Sequence, residues 1–314
     1  MWSAALIALL LFQEVAPPAE DPPPPPPSRV AVIGASLSGG FGLRSELGAD
    51  YDLAQAFELA WAESGHEFHD FGNNLFVSDA ETLGAGQVQR ARALEPELVI
   101  AIDFLFWFAY GYRGDCGART RSFEVGLELL EAFEGNLLLG DLLDARPALR
   151  GSTAFNGGRP VIRQRQIPEV ECLARLNERL IAWAAERERV HVYDLSRFYA
   201  ESFTEEPLVL RGNRYEQERK AGLLQSDLLH PTYRGLAGVT LSALDRLSQT
   251  RLLDEEDVDW DADALERAIW TATQEEREAR ARRKAERERR KAEREERRRR
   301  EEEEPRSGPL LLRR

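Results

Sequence analysis

The chain has 314 residues, with 42 basic and 55 acidic side chains, and it is 43% hydrophobic with six Trp and fourteen Phe. This length allows one or two domains of ordinary size, and this apolar and aromatic content excludes a wholly disordered chain. The net charge of −13 argues against general binding of nucleic acid or of an anionic membrane by the whole chain.

The charge is distributed unevenly along the chain. Residues 275–304 contain 14 basic and 12 acidic residues, whereas residues 28–274 contain 25 basic and 40 acidic residues and so carry a net charge of −15. An acidic body of this kind repels polyanions. We therefore do not expect nucleic acid to be a substrate or a partner.

The first 16 residues have features of an export signal. Their apolar run, residues 2–12, has about the length of a signal-peptide core and is too short to span a bilayer alone. No Lys or Arg precedes it, and the candidate cleavage site after Ala16 has Glu14 at its −3 position and is followed by Pro17, so cleavage stays open. A stray helix packed on the folded domain is the alternative. We predict an extracytoplasmic protein that is periplasmic, secreted or anchored to the membrane by this N-terminus.

Residues 17–28 form a proline-rich linker. Six consecutive prolines at 22–27 predict a polyproline II spacer, which separates the N-terminus from the rest of the chain. We expect the folded domain to begin at residue 29.

From residue 29 onwards, short apolar runs alternate with longer helical patterns. The runs predict strands at 30–33, 68–71, 98–102, 136–139 and 190–193, and the patterns predict helices at 51–64, 80–94, 122–133 and 169–186. Strands buried on both faces have continuous apolar sequences, and parallel strands need helical crossovers. The sequence therefore predicts an α/β domain over 29–253, a doubly wound parallel sheet sandwiched by helices in three layers. Its ligands should bind at the carboxyl ends of the strands.

Residues 254–314 are predicted to form a charged, Glu- and Arg-rich helical tail. Six Glu–Arg pairs at i,i+4 spacing support a helix, and no apolar stripe accompanies them, which disfavours a coiled coil. We expect a helix surrounded by solvent, with a specific docking element as the alternative.

The chain has two cysteines, Cys116 and Cys172. An exported protein would allow them to form one disulfide. Two free, inert thiols are the alternative, because the sequence does not show that the residues are close in space.

A glycine-rich turn, residues 34–42, follows the first predicted strand. It lacks the Lys-Ser or Lys-Thr of a phosphate-binding P-loop and the glycine spacing of a dinucleotide site. The α/β-hydrolase elbow would need glycine at position 38, where the chain has Ser38. The remaining interpretation is a serine, Ser36, presented by a tight turn with small neighbours.

The segment from Asp227 to Pro231 contains the best-placed of the four histidines. Two intervening residues allow the Asp227 carboxylate to contact one imidazole nitrogen of His230 and leave the other nitrogen to face a serine hydroxyl. Such an arrangement supplies a nucleophile, a base and an orienting acid.

These two segments resemble blocks of the SGNH (GDSL-like) hydrolase family, and the resemblance covers about residues 29–247. Residues 34–37 match the first block with Ala35 at the place of its aspartate, and residues 227–231 match the last block. The resemblance implies a flavodoxin-like three-layer fold. It also implies that Ser36 is the nucleophile, His230 the general base and Asp227 the residue that orients His230, with no metal or organic cofactor.

Two intermediate blocks depart from the family pattern. Leu75 replaces a glycine whose backbone N–H helps to form the oxyanion hole, although a backbone donor survives that change. Residues 102–107 stand where Gly-x-Asn-Asp is expected, and Leu105 occupies the place of the oxyanion asparagine. Such a donor contributes about 2.7–4 kcal/mol of transition-state stabilisation. We predict that Asn73 or Asn74 replaces it, or that the Ser36 N–H acts with a neighbouring amide.

Further residues follow the predicted strands. Asp103 and the aromatic stretch 104–108, which includes Trp107, are expected to line or wall the site. Asp141 either lies at the site or, as we favour, holds a loop by accepting N–H groups. His66 and His69 have a spacing that suits zinc, but no convincing further ligands accompany them, so we predict no metal.

The sequence therefore supports two hypotheses of function. The first is an exported serine esterase or deacylase that acts on small-molecule, carbohydrate or lipid esters. The second is a catalytically silent SGNH-like binding or scaffold protein of the cell envelope, which the missing oxyanion asparagine motivates.

Overall fold

The structure is a computed structural model that describes residues 27–61, 65–153 and 156–303, the last eight of them by backbone alone. The predicted signal (1–16), nearly all of the predicted linker (17–28) and the end of the predicted tail (304–314) lie outside the described residues.

Among the described residues, seven strands and eleven α-helices form. The strands are β1 Arg29–Val32, β2 Glu67–Asp70, β3 Leu98–Ala101, β4 Asn136–Gly140, β5 Val190–Tyr193, β6 Leu208–Leu210 and β7 Asn213–Tyr215. The helices are α1 Leu43–Leu47, α2 Leu53–Ala60, α3 Ala80–Arg92, α4 Phe106–Ala109, α5 Cys116–Leu130, α6 Val170–Ala185, α7 Leu195–Glu201, α8 Gln217–Lys220, α9 Tyr233–Gln249, α10 Ala262–Ala272 and α11 Gln274–Glu303.

Five strands form one parallel sheet in the order β2-β1-β3-β4-β5. In the register, Val32 of β1 lies between Asp70 of β2 and Ile100 of β3. Helices α2 and α9 pack together on one side of the sheet, and α3, α5 and α6 pack in sequence on the other. This is a doubly wound, three-layer α/β fold, which confirms the predicted fold class. The strand order reverses beside β1, and ligands bind at such a switch point in open α/β sheets.

The central strands form the core of the domain. The side chains of β3 are all buried, as are nearly all those of β1 and β4. Each of the nine strands and helices predicted between residues 30 and 193 corresponds to an element of the structure. The largest shift is in α5, which begins six residues before the predicted start because Asp115 accepts the Ala118 N–H and caps the helix.

The folded body extends past the predicted boundary at residue 253. Val258 pairs with Trp61 in an isolated β-bridge, and Leu265 and Ile269 of α10 are buried against the domain. Ala262, Leu265 and Ile269 recur at helical spacing on one face, and acidic neighbours obscure that pattern in the sequence. The segment predicted as the start of a charged tail therefore includes a packed helix.

Among the described side chains of the long helix α11, those that contact the body lie in its first turns. Arg277 lies over the Trp270 ring, and Arg280 donates to the Arg44 and Gly48 carbonyls. The described side chains from 281 to 295 are exposed, as expected for a solvated helix. The predicted pairs Glu278–Arg282 and Glu286–Arg290 form, whereas Arg280 turns to the body instead of pairing with Glu276.

Cys116 and Cys172 form a disulfide with a Cα–Cα distance of 5.6 Å. The bond joins the beginning of α5 to the beginning of α6 and so selects one of the two alternatives that the sequence left open. Among the residues that the structure describes, no helix combines the length and apolar character needed to cross a membrane.

Candidate active site

Ser36 lies in a tight turn just after β1, at the carboxyl edge of the sheet. The Phe41 N–H donates to the Ser36 carbonyl at 2.8 Å, and the Gly39 N–H donates to the Ala35 carbonyl at 2.9 Å. Gly34 enters the turn with φ of 153°, and a Cβ there would lie 2.2 Å from Asp103 Oδ1. Only glycine allows the chain to pass so close to that carboxylate.

The structure brings Ser36, His230 and Asp227 together. Ser36 Oγ lies 2.9 Å from His230 Nε2, and His230 Nδ1 lies 2.7 Å from Asp227 Oδ2. Ser36 is half-buried, and His230 and Asp227 are buried. These contacts place a hydroxyl, an imidazole and a carboxylate in series, within the reach that proton transfer requires.

The loop that carries His230 is organised around Asp227. Asp227 Oδ1 accepts the N–H groups of Leu229 and His230, both at 3.0 Å. Burial by itself would raise the pKa of the Asp227 carboxyl, but its hydrogen bonds with His230 and these N–H groups hold that pKa below its ordinary value. Leu228 takes a left-handed conformation with φ of 56°, and the Tyr199 hydroxyl donates to its carbonyl. The loop therefore presents an ionised Asp227 to His230.

Gln225 connects the histidine loop to the serine turn. Its side-chain amide donates to the Phe41 carbonyl at 2.7 Å and to the Pro231 carbonyl at 2.8 Å. The Phe41 ring lies 4.3 Å from the His230 ring, measured between centroids. These contacts fix the distance between the two parts of the site.

Asp103 lies beneath the Ser36 turn rather than at its open surface. Its carboxylate accepts the Ala35 N–H at 2.9 Å, the Leu37 N–H at 2.7 Å and the Ser38 N–H at 3.4 Å. It also accepts the Ser38 hydroxyl at 2.6 Å. The sequence predicts Asp103 as a site-lining residue. In the structure its carboxylate instead binds the backbone and the Ser38 hydroxyl of the turn.

Gln87 of α3 holds the residue at which the turn begins. Its side-chain amide exchanges two hydrogen bonds with the backbone of Gly34, one accepted at 3.1 Å and one donated at 2.8 Å. Gln87 is fully buried. Neither Gln87 nor Gln225 is predictable from the sequence, because single glutamines far along the chain from their partners leave no local pattern.

The predicted oxyanion asparagines flank the turn without a hydrogen bond to Ser36. The Asn74 side-chain amide donates to the Gly39 carbonyl at 3.1 Å. Asn73 donates its N–H to the Gly34 carbonyl at 3.1 Å, and its Oδ1 accepts the Leu75 N–H at 2.8 Å. The backbone donor of Leu75 is therefore already used. Among the described residues, the Asn73 side-chain N–H₂ and the Ser36 N–H have no assigned acceptor.

The aromatic stretch 104–108 packs in the core, which corrects the prediction that it walls the site. Phe104 and Phe108 are fully buried and contact Phe76, with ring centroids 5.5 and 6.0 Å apart. Trp107 is 8% exposed and meets Phe106 edge to face. The apolar side chains that follow β3 thus pack under α3 and α5 instead of facing a substrate.

Asp141 takes the loop role that the sequence favoured. Its carboxylate accepts the Ser196 N–H at 2.7 Å and the Ser196 hydroxyl at 2.6 Å. Burial raises the pKa of the Asp141 carboxyl above its ordinary value, and these hydrogen bonds oppose that shift. Asp141 therefore holds the beginning of α7.

The remaining histidines lie apart from Ser36. His66 Nδ1 lies 2.8 Å from the Pro27 carbonyl oxygen, His69 lies 3.7 Å from Glu67, and His191 is half-buried in β5. Within the described ranges, no group of three or more His, Cys, Asp or Glu side chains is arranged to hold a metal ion.

Comparison with known proteins finds similarity in structure only. No protein-family model matches the chain, and no curated protein matches it. A gut microbial diltiazem-metabolizing enzyme is 12% identical with a TM-score of 0.44, and the match covers 69% of this chain but only 46% of that enzyme.

Two further solved structures are similar over most of their own length. A lipase/acylhydrolase from Enterococcus faecalis is 13% identical with a TM-score of 0.42, and the match covers 70% of this chain and 95% of that one. A GDSL-like lipase from Bacteroides thetaiotaomicron is 15% identical with a TM-score of 0.39, with 72% and 87% covered. At these identities and scores the likeness carries no inference about family or activity, so we base the functional proposal on the site itself.

Proposed function

We propose that the protein is a serine hydrolase that cleaves acyl or acetyl esters through Ser36, His230 and Asp227. One observation supports this most directly, namely the two hydrogen bonds in series from Ser36 Oγ to His230 and from His230 to Asp227, at 2.9 and 2.7 Å. A serine hydroxyl is a weak nucleophile unless an adjacent base takes its proton. The 2.9 Å contact between Ser36 Oγ and His230 Nε2 supports His230 as this base.

In the proposed acylation step, Ser36 Oγ attacks the carbonyl carbon of the ester while its proton passes to His230 Nε2. The Asp227 carboxylate stabilises the imidazolium that forms and keeps the ring oriented. When the tetrahedral intermediate collapses, the bond to the alcohol oxygen breaks and His230 returns the proton to the departing alcohol. The acyl group is then attached to Ser36.

Water completes the proposed cycle. His230 Nε2 removes a proton from a water molecule, the hydroxide attacks the acyl carbon, and Ser36 Oγ leaves with the proton that His230 holds. These steps require no metal and no organic cofactor. We propose small-molecule, carbohydrate or lipid esters as the substrate class.

The oxyanion of the tetrahedral intermediate needs hydrogen-bond donors. We assign one donor to the Ser36 N–H, which has no acceptor among the described residues. The Asn73 side-chain N–H₂ is our candidate for the second donor, since Asn74 already donates to Gly39.

A fluorophosphonate probe tests the proposal without knowledge of the substrate. Ser36 Oγ would form a bond to phosphorus as fluoride leaves, and only an activated serine reacts at a useful rate. We expect labelling of the wild-type protein, its loss in Ser36→Ala, and its retention in Ser45→Ala, which removes a nearby exposed serine. An unlabelled wild-type protein would refute the proposed activity.

A second candidate function is a catalytically silent binding or scaffold protein of the cell envelope. The observation that favours it is that the Asn74 amide and the Leu75 N–H are both bound within the protein. Labelling that disappears in Ser36→Ala would reject this alternative. A screen of nitrophenyl esters with acyl chains of increasing length would then define the acyl group.

We also propose an extracytoplasmic location, with membrane anchoring through the N-terminus as one form of it. The Cys116–Cys172 disulfide supports this, because such bonds persist in oxidising compartments. Thiol alkylation of the protein immediately after cell lysis should find both cysteines oxidised. Two alkylated thiols would argue for a reducing compartment.

A further inference from the structure

Four hydrogen bonds converge on the carboxylate of Asp103 from the turn that carries Ser36. Oδ1 accepts the Ala35 N–H and the Ser38 hydroxyl, and Oδ2 accepts the N–H groups of Leu37 and Ser38. Asp103 follows β3, the strand that pairs with β1, so the sheet register brings its side chain under the turn. The carboxylate therefore accepts hydrogen bonds from residues on both sides of Ser36.

Between residues 35 and 38, this pattern leaves a single N–H unused. Of the four consecutive N–H groups from residue 35 to residue 38, Asp103 binds three and leaves the Ser36 N–H without an acceptor among the described residues. The same bonds hold the backbone that aims Ser36 Oγ at His230 Nε2.

We propose that Asp103 is a positioning residue that fixes the Ser36 turn and leaves the Ser36 N–H free as an oxyanion donor. The inference rests on the proposed hydrolase function. Asp103 acts through the turn and does not touch the substrate.

A carboxylate suits this position better than an amide. Both of its oxygens accept hydrogen bonds, whereas the amide nitrogen of an asparagine would meet donors on one side and leave them unpaired. Burial raises the pKa of the Asp103 carboxyl, and the four hydrogen bonds from the turn oppose that shift. Asp103→Asn therefore keeps the shape of the side chain but removes half of its accepting capacity.

A merely structural role makes a different prediction from a positioning role. A structural residue would lower the melting temperature and leave the reactivity of each folded molecule unchanged. A positioning residue would also lower the rate at which bound probe reacts with Ser36. Asp141→Asn is a matched control, because Asp141 also follows a central strand and also accepts a backbone N–H and a hydroxyl, but from Ser196 of α7.

The test measures the maximal rate of fluorophosphonate labelling and the probe concentration that gives half of it, at a temperature where each variant is fully folded. We expect Asp103→Asn to lower the maximal rate about 10²-fold and to leave the half-saturating concentration nearly unchanged, since misplacement by about 1 Å has an effect of that size. Asp141→Asn should keep the wild-type rate within about threefold, because the bonds that it weakens hold the beginning of α7 and do not misplace the Ser36 turn.

Three outcomes would overturn either the proposed hydrolase function or the positioning role of Asp103, and the three are distinguishable. If the wild-type protein is not labelled, the proposed function itself fails. If the wild type is labelled and Asp103→Asn reacts equally fast, or loses no more rate than Asp141→Asn, the positioning role is wrong. If Asp103→Asn does not fold, Ser38→Ala decides the matter. That variant removes one of the four hydrogen bonds and should lower the maximal rate about tenfold, and an unchanged rate would reject the role.

Discussion

The turn that carries Ser36 is held by side chains from other elements, whereas the loop that carries His230 is held largely by its own bonds. Asp103 reaches the serine turn from just after β3, and Gln87 reaches it from the middle of α3. In the histidine loop, Asp227 binds the N–H groups of the residues that follow it and the imidazole itself. One part of the site therefore depends on tertiary contacts, and the other depends on local sequence.

The carboxyl groups of the two parts also differ in their proton affinity. Burial is the main cause that raises the pKa values of Asp52, Asp70 and Asp103 near the serine turn. Burial acts on Asp227 as well, but the contacts with His230 outweigh it and lower the pKa. The serine part thus tolerates carboxylates that are costly to ionise, while the histidine part is stabilised by an ionised one.

The largest expected effects come from the residues that join the two parts. Ser36→Ala and His230→Ala should each lower ester turnover by at least about 10⁴-fold without unfolding the domain, because a nucleophile and its base act as one unit. Asp227→Asn should be damaging but less so. Turnover of a nitrophenyl ester, with circular dichroism for folding, measures both properties.

The double variant Ser36→Ala, His230→Ala is the control for this prediction. It should be no slower than either single variant, since the two losses do not add when the residues share one step. A double variant far slower than both would contradict their assignment to a single catalytic unit.

The next effect concerns the missing oxyanion donor. Asn73→Ala should slow turnover about 10²-fold and leave KM nearly unchanged, because a donor to the oxyanion acts mainly in the transition state. Asn74→Ala is the matched comparison, and its effect should be smaller because its amide already binds the Gly39 carbonyl. If both variants keep full turnover, only backbone donors remain as the source of stabilisation.

The contrast between the two parts explains how far the sequence could predict the site. Asp227 and His230 lie three residues apart, so a local spacing is enough to predict their contact. Gln87 and Asp103 contact the serine turn across separations of 53 and 65–68 residues, and no pattern within either segment indicates such pairing. The sequence therefore predicts which residues meet at the site but not what holds the serine turn.

The same distinction applies to the fold. Continuous apolar runs predict the central strands β1, β3 and β4, because burial on both faces leaves a strong local pattern. The packing of α10 was missed, since its three buried residues stand among charged ones. The sequence predicts the aromatic residues after β3 at the site, because it does not distinguish a buried aromatic side chain from one that lines a pocket.

A smaller effect concerns the helix that follows the body. Arg280 donates to the carbonyls of Arg44 and Gly48, which lie just after the serine turn. Truncation after Gln274 removes these bonds, whereas truncation after Ala281 keeps them. We expect the shorter protein to melt about 2–4 °C lower than the longer one, with equal fluorophosphonate labelling. Equal melting temperatures would show that the docked turns of α11 contribute no stability.

The smallest expected effect tests the difference in pKa directly. Burial raises the pKa of Asp70 to about 6 from its ordinary 3.8, nearby Asp52 and Asp103 add to this, and the hydrogen bond from the Gly72 N–H opposes it. Between these two pH values the folded state binds more protons than the unfolded state, so stability falls as the pH rises through this window. Asp70→Asn removes the cost of ionising this carboxyl group in the folded state. It keeps a side-chain oxygen that can accept the Gly72 N–H. Because Asp70 is partly exposed and solvent screens its charge, we expect a gain of only about 1–2 °C at pH 7.5.

The gain from Asp70→Asn should shrink when melting is measured at pH 4.5, where the folded wild-type protein already holds a proton on Asp70. Asp227→Asn should behave in the opposite way. The lowered pKa of Asp227 contributes stability above 3.8 that is lost only as the pH falls through the lower folded-state value, so this variant should melt below the wild type at both pH values. The two substitutions should therefore shift the melting temperature in opposite directions at pH 7.5. A shift of the same sign for both would show that the carboxyl groups of the two parts experience the same electrostatic environment.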